Sequence, residues 1–296
     1  MTPTARAAIW MTGAIGSFSV MAMAGRAVSL QLDTFELMMY RSAVGLCIIL
    51  AVLTLSGRWH MISRDNLGLH FIRNLAHFAG QNLWFFALTL IPLAQVFALE
   101  FTAPLWVVFL APIVLGERLT LSQVLCVVSG FVGILIITAP TLSEPTTSTG
   151  ALAAAASAIG FALTAIFTRK LTRNHSTLSI LFWLTSMQLG FGLFSAGIDG
   201  SITVPQGLNI LWLFIIGCAG LLAHTCLTQA LSLAPASVVI PIDFTRLPLI
   251  ALAGAVFYDE PIGVALIVGG LIIIAANIFS IRMSESKRAA HTIKRM

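Results

Sequence analysis

Long apolar runs, each separated from the next by a short polar break, constrain this chain more than any other feature. A helix rises about 1.5 Å per residue, so roughly 20 apolar residues are needed to cross the ~30 Å hydrocarbon core of a membrane. Only 9% of the residues are charged, against about 25% in soluble domains. The pattern predicts an all-α integral membrane protein with ten transmembrane helices, at residues 8–27, 35–55, 69–90, 94–115, 121–139, 151–170, 177–197, 208–231, 236–257 and 262–282.

The basic residues predict the orientation of these spans. If both termini are cytoplasmic, most of the 16 Lys and Arg residues fall in cytoplasmic loops or tails, and only Arg26 lies outside. Cytoplasmic loops of membrane proteins carry an excess of Lys and Arg. We therefore expect a multi-pass protein of the cell inner (cytoplasmic) membrane with both termini cytoplasmic. Its expected partners are the lipid bilayer and a small-molecule substrate, and the scattered basic residues do not predict nucleic acid.

The chain contains an internal repeat. A constant offset aligns ALTLIPLAQV (87–96) with ALSLAPASVV (230–239) and the triplet EFT (100–102) with DFT (243–245). The halves are predicted at residues 1–145 and 146–283, with five spans each, followed by a basic cytoplasmic tail at 284–296. Because five is odd, the second half must cross the membrane upside down. Two inverted five-helix repeats around a central cavity are typical of secondary transporters, which open the cavity to each side in turn.

The segment ALTLIPLAQVFALEFTAPLWVVFLAPIVLGERLTLSQVLCVVSGFVGILII (87–137) resembles the repeat of EamA-type carriers in the drug/metabolite transporter superfamily. FELMMYRSAVG (35–45) is similar to that family's second span and its arginine, here Arg41. The second half is more divergent, with Tyr-Asp-Glu-Pro (258–261) where the first has Leu-Gly-Glu-Arg (115–118). The resemblance implies ten helices, a central cavity, and export of amino acids or other small metabolites. The pattern is most similar to the YddG-type aromatic amino-acid exporters.

Four charged residues are candidates for groups held deep in the membrane, namely Arg41, Glu100, Asp243 and Arg246. A charge at mid-membrane costs at least ~2.5–3.5 kcal/mol, so such groups usually face protein or water and have partners. Asp243 and Arg246 are three residues apart on one helix and are predicted to pair. Glu100 has no basic neighbour in its own span, and we expect Arg41 to be its partner. These charges either form structural ion pairs or include a carboxylate that binds a substrate ammonium or a coupling proton.

Polar residues of the third span recur at helical spacing, and such a stripe must face protein or water. The stripe begins with Arg73, whose side chain we expect to extend to the membrane surface at the cytoplasmic end. The stripe also includes Gln81, which the repeat aligns with His224 in the eighth span. Together with aromatic residues near the two acids, these positions predict a substrate-binding set, namely His77, Gln81, Trp84, Phe101, His224, Thr228 and Phe244. As an alternative, the His and Gln side chains hydrogen-bond neighbouring helices, at ~1 kcal/mol per contact.

Prolines occur within or beside the same spans. Each proline removes a backbone donor and bends a helix, which provides a pivot for a moving segment. We predict gating kinks at Pro92, Pro104, Pro235, Pro241 and Pro248. They could equally be fixed features of helix shape.

The absence of other motifs limits the function further. The sequence has no Gly-x-x-x-x-Gly-Lys-Ser/Thr phosphate loop and no His spacing typical of a metal site. We therefore expect no metal, no cofactor, no catalytic residues and no ATPase subunit. The prediction is a secondary transporter, and not an enzyme, that exports amino acids by alternating access, with aromatic and other neutral ones as first candidates. A nucleotide-sugar or other metabolite exchanger of the same fold, or a passive channel, stays open as an alternative.

Overall fold

The computed structural model describes residues 1–28, 32–91, 93–139, 148–198, 202–249 and 263–293, and these are almost entirely helical. The α-helices are α1 (Pro3–Val28), α2 (Thr34–Ser56), α3 (Leu67–Leu90), α4 (Leu93–Glu100), α5 (Ala103–Leu115), α6 (Leu121–Thr138), α7 (Ser148–Leu171), α8 (Thr177–Ala196), α9 (Leu208–Leu233), α10 (Ala236–Val239) and α11 (Val264–Ile293). Two 3-10 helices cover Arg58–Met61 and Ile240–Thr245. The chain stays helical from there to residue 249.

Local sequence accounts for several helix ends. The Asp33 side chain accepts a hydrogen bond from the Glu36 amide at 2.7 Å, and the Glu36 side chain accepts from the Asp33 amide at 3.2 Å. This reciprocal cap starts α2 and satisfies two amides that have no partner inside the helix. Helices α2 and α5 end at Gly57 and Gly116, which adopt φ of +64° and +65°. Glycine takes this left-handed conformation without a steric penalty.

The helices coincide with the predicted spans except in the two segments that carry the repeated acid-Phe-Thr. The span predicted at 94–115 is two helices, α4 and α5, separated at Phe101 and Thr102. The span predicted at 236–257 begins as α10 and continues as a 3-10 helix, and its part beyond residue 249 lies outside the described residues. The prediction of one continuous helix at 94–115 is therefore wrong.

Proline explains why both segments are interrupted. Because proline has no amide hydrogen and its ring crowds the preceding turn, it kinks or breaks a regular helix. Pro104 lies in the first turn of α5, Pro235 immediately precedes α10, and Pro241 lies in the first turn of the 3-10 helix. These three begin helical segments, so the prediction that they kink continuous helices needs correction. Pro248 lies in the helical stretch that follows, and Pro92 is outside the described residues.

The helices support a multi-pass membrane protein, although not ten continuous crossings. Within the described ranges, six helices are long and apolar enough to cross a membrane, namely α1, α2, α7, α8, α9 and α11. Helices α5 and α6 are shorter apolar helices. Helix α3 has 24 residues but carries the polar stripe, and the fourth and ninth predicted spans are interrupted.

The most extensive helix contacts are the pairs α1–α9, α3–α7, α6–α11 and α2–α8. When the two halves are aligned in chain order, α1 corresponds to α7, α2 to α8, α3 to α9 and α6 to α11. Exchanging the halves therefore turns the α1–α9 contact into the α7–α3 contact and leaves the other two pairs unchanged. The packing follows the internal repeat, and each half of the chain packs mainly against the other half.

Glycine lets these helices approach closely. A Cβ atom built on Gly160 of α7 would lie 2.9 Å from the Ala76 carbonyl oxygen and 2.9 Å from the Gly80 Cα of α3. Both neighbours are backbone atoms, which cannot rotate away. The repeat aligns Gly160 with Gly16 of α1, where an added Cβ would have no atom within 4 Å outside its own helix. The α3–α7 contact therefore needs glycine, whereas the equivalent position in α1 does not.

We expect Gly160→Ala to lower the thermal unfolding temperature of the purified protein in detergent, because the added methyl group forces α3 and α7 apart. Overpacking of this kind costs about 1–3 kcal/mol. The matched control is Gly16→Ala, which should leave the unfolding temperature unchanged or slightly higher, since alanine is the better helix former. Equal effects of the two substitutions would contradict the packing described here.

Candidate functional site

An internal cavity of about 100 Å³ lies between the two halves of the chain. Side chains from α1, α3, α4, α5, α7 and α9 line it, together with Phe101 between α4 and α5, the 3-10 helix at Ile240–Thr245 and the residue that follows that helix. The predicted polar and charged residues that line the cavity are His77, Gln81, Glu100, His224, Asp243 and Arg246. Trp84, Phe101 and Pro104 line it as well. Most of the predicted site residues, drawn from both halves, therefore face one interior space.

The two repeated acids meet at one arginine. Arg246 donates a hydrogen bond through Nη2 to Glu100 Oε1, and the same nitrogen lies 3.0 Å from Asp243 Oδ2. The Trp84 indole donates to the second Glu100 oxygen at 2.6 Å. We call Glu100, Asp243 and Arg246 the central charge triad. It joins the interrupted segments of both halves inside the protein.

The structure corrects the predicted partner of Glu100. Glu100 pairs with Arg246 of the other half, and not with Arg41. The physical reason is the interruption of both segments, which brings the two acid-Phe-Thr triplets next to each other. The rings of Phe101 and Phe244 then meet edge to face, with their centres 6.0 Å apart. A pairing across the halves could not be derived from spacing along a single helix.

Aromatic rings surround the guanidinium of the triad. The Arg246 Cζ atom lies 5.6, 5.5 and 5.1 Å from the ring centres of Phe18, Phe97 and Phe101. Distances within about 6 Å allow a cation–π attraction, which grows when water is excluded. Two carboxylates against one guanidinium leave the triad with one negative charge in excess. Asp243 Oδ1 has no hydrogen-bond partner among the described residues, so this oxygen is available to a bound cation.

Two histidines face each other in the cavity. The ring centres of His77 and His224 are 4.6 Å apart, at an angle of 88°. Each side chain is 2% exposed, and the ring nitrogens make no hydrogen bond of normal geometry within the described part of the chain. Buried polar atoms are normally paired, so these nitrogens are candidates for contact with a substrate or with ordered water.

A second, smaller cavity of about 20 Å³ adjoins the first, because His224 lines both. Arg41 lies at its wall, donates to Gln81 Oε1 and has Met38 Sδ at 3.4 Å. Sequence reasoning missed the contribution of α8, whose Thr185 and Gln188 also line this cavity. The available signal was Gln188 with Thr185 three positions before it, at helical spacing in a largely apolar span.

Three other residues lie where the sequence did not place them. Thr228 and Phe244 are buried but are not among the residues lining either cavity, and their role in binding stays a prediction. Arg73 is 1% exposed and donates to Thr168 at 3.0 Å and Asn74 at 2.8 Å. The expectation that it extends to the membrane surface is therefore wrong. Among the described residues, no group of three or more His, Cys, Asp or Glu could hold a metal ion.

A polar cluster lies at one end of the bundle. Glu117, in the loop after α5, pairs with Arg169 of α7 at 3.4 Å and accepts from the Ala236 amide and the Ser237 hydroxyl at 3.3 and 3.4 Å. Arg169 also donates to the Leu231 carbonyl at the end of α9, at 2.5 Å. We call Glu117, Arg169, Ala236 and Ser237 the Glu117 cluster. It ties the first half to the second at the helix ends.

A multi-pass helical bundle with a cavity between two equivalent halves is typical of secondary transporters. The EamA-like transporter family matches the chain twice, at residues 5–139 and 148–282. The two matches correspond to the two halves of the repeat and cover almost the whole sequence. The chain therefore belongs to the EamA-like transporter family.

Similar proteins carry different substrates. A riboflavin transporter of Brucella anthropi is 30% identical over 250 residues, which are 83% of this chain and 87% of that protein. An S-adenosylmethionine uptake transporter of Rickettsia prowazekii is 25% identical, over 94% of this chain and 92% of that one. A pseudopaline exporter of Pseudomonas aeruginosa is 26% identical, over 92% and 93%. These relatives support the transporter class, an inner-membrane location and the EamA assignment, and they give no specific support to the YddG-type resemblance.

A solved crystal structure has the same fold. It superposes with a TM-score of 0.78 and covers 96% of this chain and 98% of its own, at 19% sequence identity. At that identity, the likeness concerns the fold alone.

The central charge triad predicts a non-additive pair of substitutions. Glu100→Gln and Asp243→Asn each leave Arg246 one carboxylate, so each should lower the unfolding temperature only moderately. The double variant leaves a buried guanidinium without a counter-charge, a change that typically costs about 3–5 kcal/mol. We expect a loss of thermal stability in detergent that exceeds the sum of the single losses. Additive losses would show that the two acids do not share Arg246.

Proposed function

We propose that this protein is a secondary transporter that moves a small metabolite by alternating access, with the two halves as inverted repeats. The observation that carries the proposal is the central charge triad, in which equivalent acids from the two halves bind one arginine beside the larger cavity. Inverted repeats place the substrate site at their interface near mid-membrane, next to interrupted helices. The α1–α9 and α3–α7 contacts are equivalent to each other when the two halves are exchanged, which supports this arrangement.

We propose amino acids and amino-acid derivatives, aromatic ones first, as the substrate class. The cavity has aromatic walls at Phe18, Trp84, Phe101 and Phe161, which suit a ring or an apolar side chain. The free Asp243 oxygen and the excess negative charge of the triad suit an ammonium group. S-adenosylmethionine, carried by a relative, is itself an amino-acid derivative, so one site chemistry accommodates both. The names of the relatives include uptake and export, and we propose that the substrate gradient sets the direction here.

The cavity size supports a closed conformation. Ligand sites for small organic molecules usually measure about 300–1,000 Å³, whereas this cavity measures about 100 Å³. Substrate entry therefore requires the halves to move apart. The loop that carries Glu117 faces the cytoplasm if both termini do, so the Glu117 cluster is proposed to hold the cytoplasmic side shut.

Counterflow in proteoliposomes tests the proposed function. Vesicles preloaded with unlabelled tryptophan should transiently accumulate labelled tryptophan from outside, because a carrier returns from each turnover with a substrate bound. Vesicles without protein, and vesicles preloaded with buffer alone, are the controls. Uptake that does not depend on the preloaded substrate would indicate a channel. Counterflow by a nucleotide sugar or riboflavin, and by no amino acid, would keep the carrier and exclude the proposed substrate.

The role of the Glu117 cluster can be tested by chemical labelling. Ala165 lines the main cavity, and in a variant without the four native cysteines an Ala165→Cys substitution reports access to that cavity. We expect Glu117→Gln to speed the reaction of this cysteine with an impermeant maleimide added on the cytoplasmic side, since the substitution removes the charge that holds Arg169.

The matched control for this labelling is Arg118→Gln. Arg118 neighbours Glu117 in the same loop but is exposed, and its substitution should leave the labelling rate unchanged. Equal rates in the Glu117→Gln variant and the parent protein would remove the proposed closing role of the cluster.

A further inference from the structure

Arg41 is a buried cation without an anionic partner in the described part of the chain. Its side chain is 6% exposed, its hydrogen bonds go to the neutral groups of Gln81 and Met38, and no carboxylate of the described residues lies within 4.0 Å. Buried guanidinium groups are normally paired with an anion, because an uncompensated charge is costly inside a membrane protein. An arrangement that keeps this charge unpaired is suited to receiving a negative group from outside the chain.

The surroundings of Arg41 form a built site. A Cβ atom placed on Gly220 of α9 would lie 2.8 Å from the Arg41 Nε atom and 3.4 Å from Cζ. Glycine at this position therefore leaves the space in which the guanidinium lies. His224, one helical turn further along α9, is 2% exposed and has both ring nitrogens without a hydrogen bond of normal geometry in the described residues. It lines the small cavity beside Arg41.

The size of the small cavity indicates what it can hold. A volume of about 20 Å³ exceeds the roughly 10–15 Å³ that one water molecule needs, so it has room for one small polar group and not for a whole metabolite. His224 lines both cavities, and Gln81 lines the larger one while it accepts a hydrogen bond from Arg41. A molecule whose body fills the larger cavity can therefore present one small group to Arg41. The larger cavity also contains Asp243, whose free oxygen suits a cation.

From this arrangement we propose that Arg41, which lies in the space left by Gly220 and is flanked by His224 and Gln81, is a carboxylate-binding subsite. This inference rests on the proposed function, and it deepens it by assigning the position of the substrate's carboxylate. The carboxylate binds at Arg41 in the small cavity, and the rest of the molecule lies in the larger cavity. The planar guanidinium matches the two oxygens of a carboxylate.

Binding of two matched probes tests the subsite without any transport. Indole-3-propionate and indole-3-propionamide have nearly the same shape and differ in charge. The full-length protein in detergent should be thermally stabilised by the propionate far more than by the amide, because a ligand that binds the folded state raises its unfolding temperature. Arg41→Gln should weaken propionate binding about tenfold or more, as expected for a lost charged hydrogen bond, and should leave amide binding unchanged.

Two further variants keep the test decisive if Arg41→Gln does not fold. Arg41→Lys retains the charge but not the planar fork, and Gly220→Ala displaces the guanidinium while the charge remains. Both should weaken binding of the propionate more than that of the amide. Cys47→Ser is the matched control, since Cys47 lies on α2 with Arg41 but its side chain is exposed and does not face the interior. It should bind both probes like the unmodified protein.

The outcomes separate the subsite from the proposed function. Equal affinity for the propionate in the unmodified protein and the Arg41 variants overturns the subsite, and so does equal stabilisation by sodium chloride at the same concentration. If the unmodified protein carries no amino acid in counterflow yet binds the propionate through Arg41, the substrate assignment fails and the subsite stands. If amino-acid counterflow occurs with the same apparent affinity in Arg41→Lys and Gly220→Ala, the transport function stands and the subsite fails.

Discussion

A charge inside a membrane protein needs a counter-charge or a polar partner, and the interior of this protein is organised by that requirement. Arg246 binds two carboxylates that belong to different halves of the chain, so the counter-charge of Glu100 comes from the other half. The prolines that interrupt the segments around Glu100 and Asp243 make this meeting possible, since two unbroken helices would present their acids at fixed positions along rigid axes. The aromatic rings around Arg246 exclude water and strengthen its electrostatic contacts.

Sequence reasoning found the components of this arrangement but not their connections. The spans, the repeat and the acid-Phe-Thr triplets could be predicted because each depends on composition or spacing along the chain. The pairing of Glu100 with Arg246 could not, because it depends on how two interrupted helices pack across the interface. Arg73 was missed for a similar reason. Its position near a helix end suggested the membrane surface, whereas Thr168 of a helix from the other half provides it with a buried partner.

The functional features lie at positions where the two halves differ in sequence. The repeat aligns His77 with Gly220 and Gln81 with His224, so each half supplies different chemistry at equivalent positions. His77 of α3 corresponds to Gly220 of α9, and the Arg41 side chain occupies the space that a side chain at residue 220 would need. A duplicated scaffold needs symmetry to open towards both sides, but a site that distinguishes the two ends of a small molecule cannot itself be symmetric. The positions that break the repeat are therefore the ones expected to define the substrate.

The strengths of the two sets of ion pairs indicate where the protein can bend. The Arg169–Glu117 pair lies at the bundle end with side chains 20% and 9% exposed, and partly solvated pairs of this kind contribute only about 0–1 kcal/mol. Arg246 is the more deeply buried of the two arginines, with its side chain 5% exposed, and its partners Glu100 and Asp243 are 10% and 21% exposed. Removing a partner from a buried pair costs about 3–5 kcal/mol. A motion that separates the halves at the end therefore meets far less resistance than one that separates them at the triad. We propose the triad as the pivot of this motion, and the Glu117 cluster as a contact that opens and closes around it.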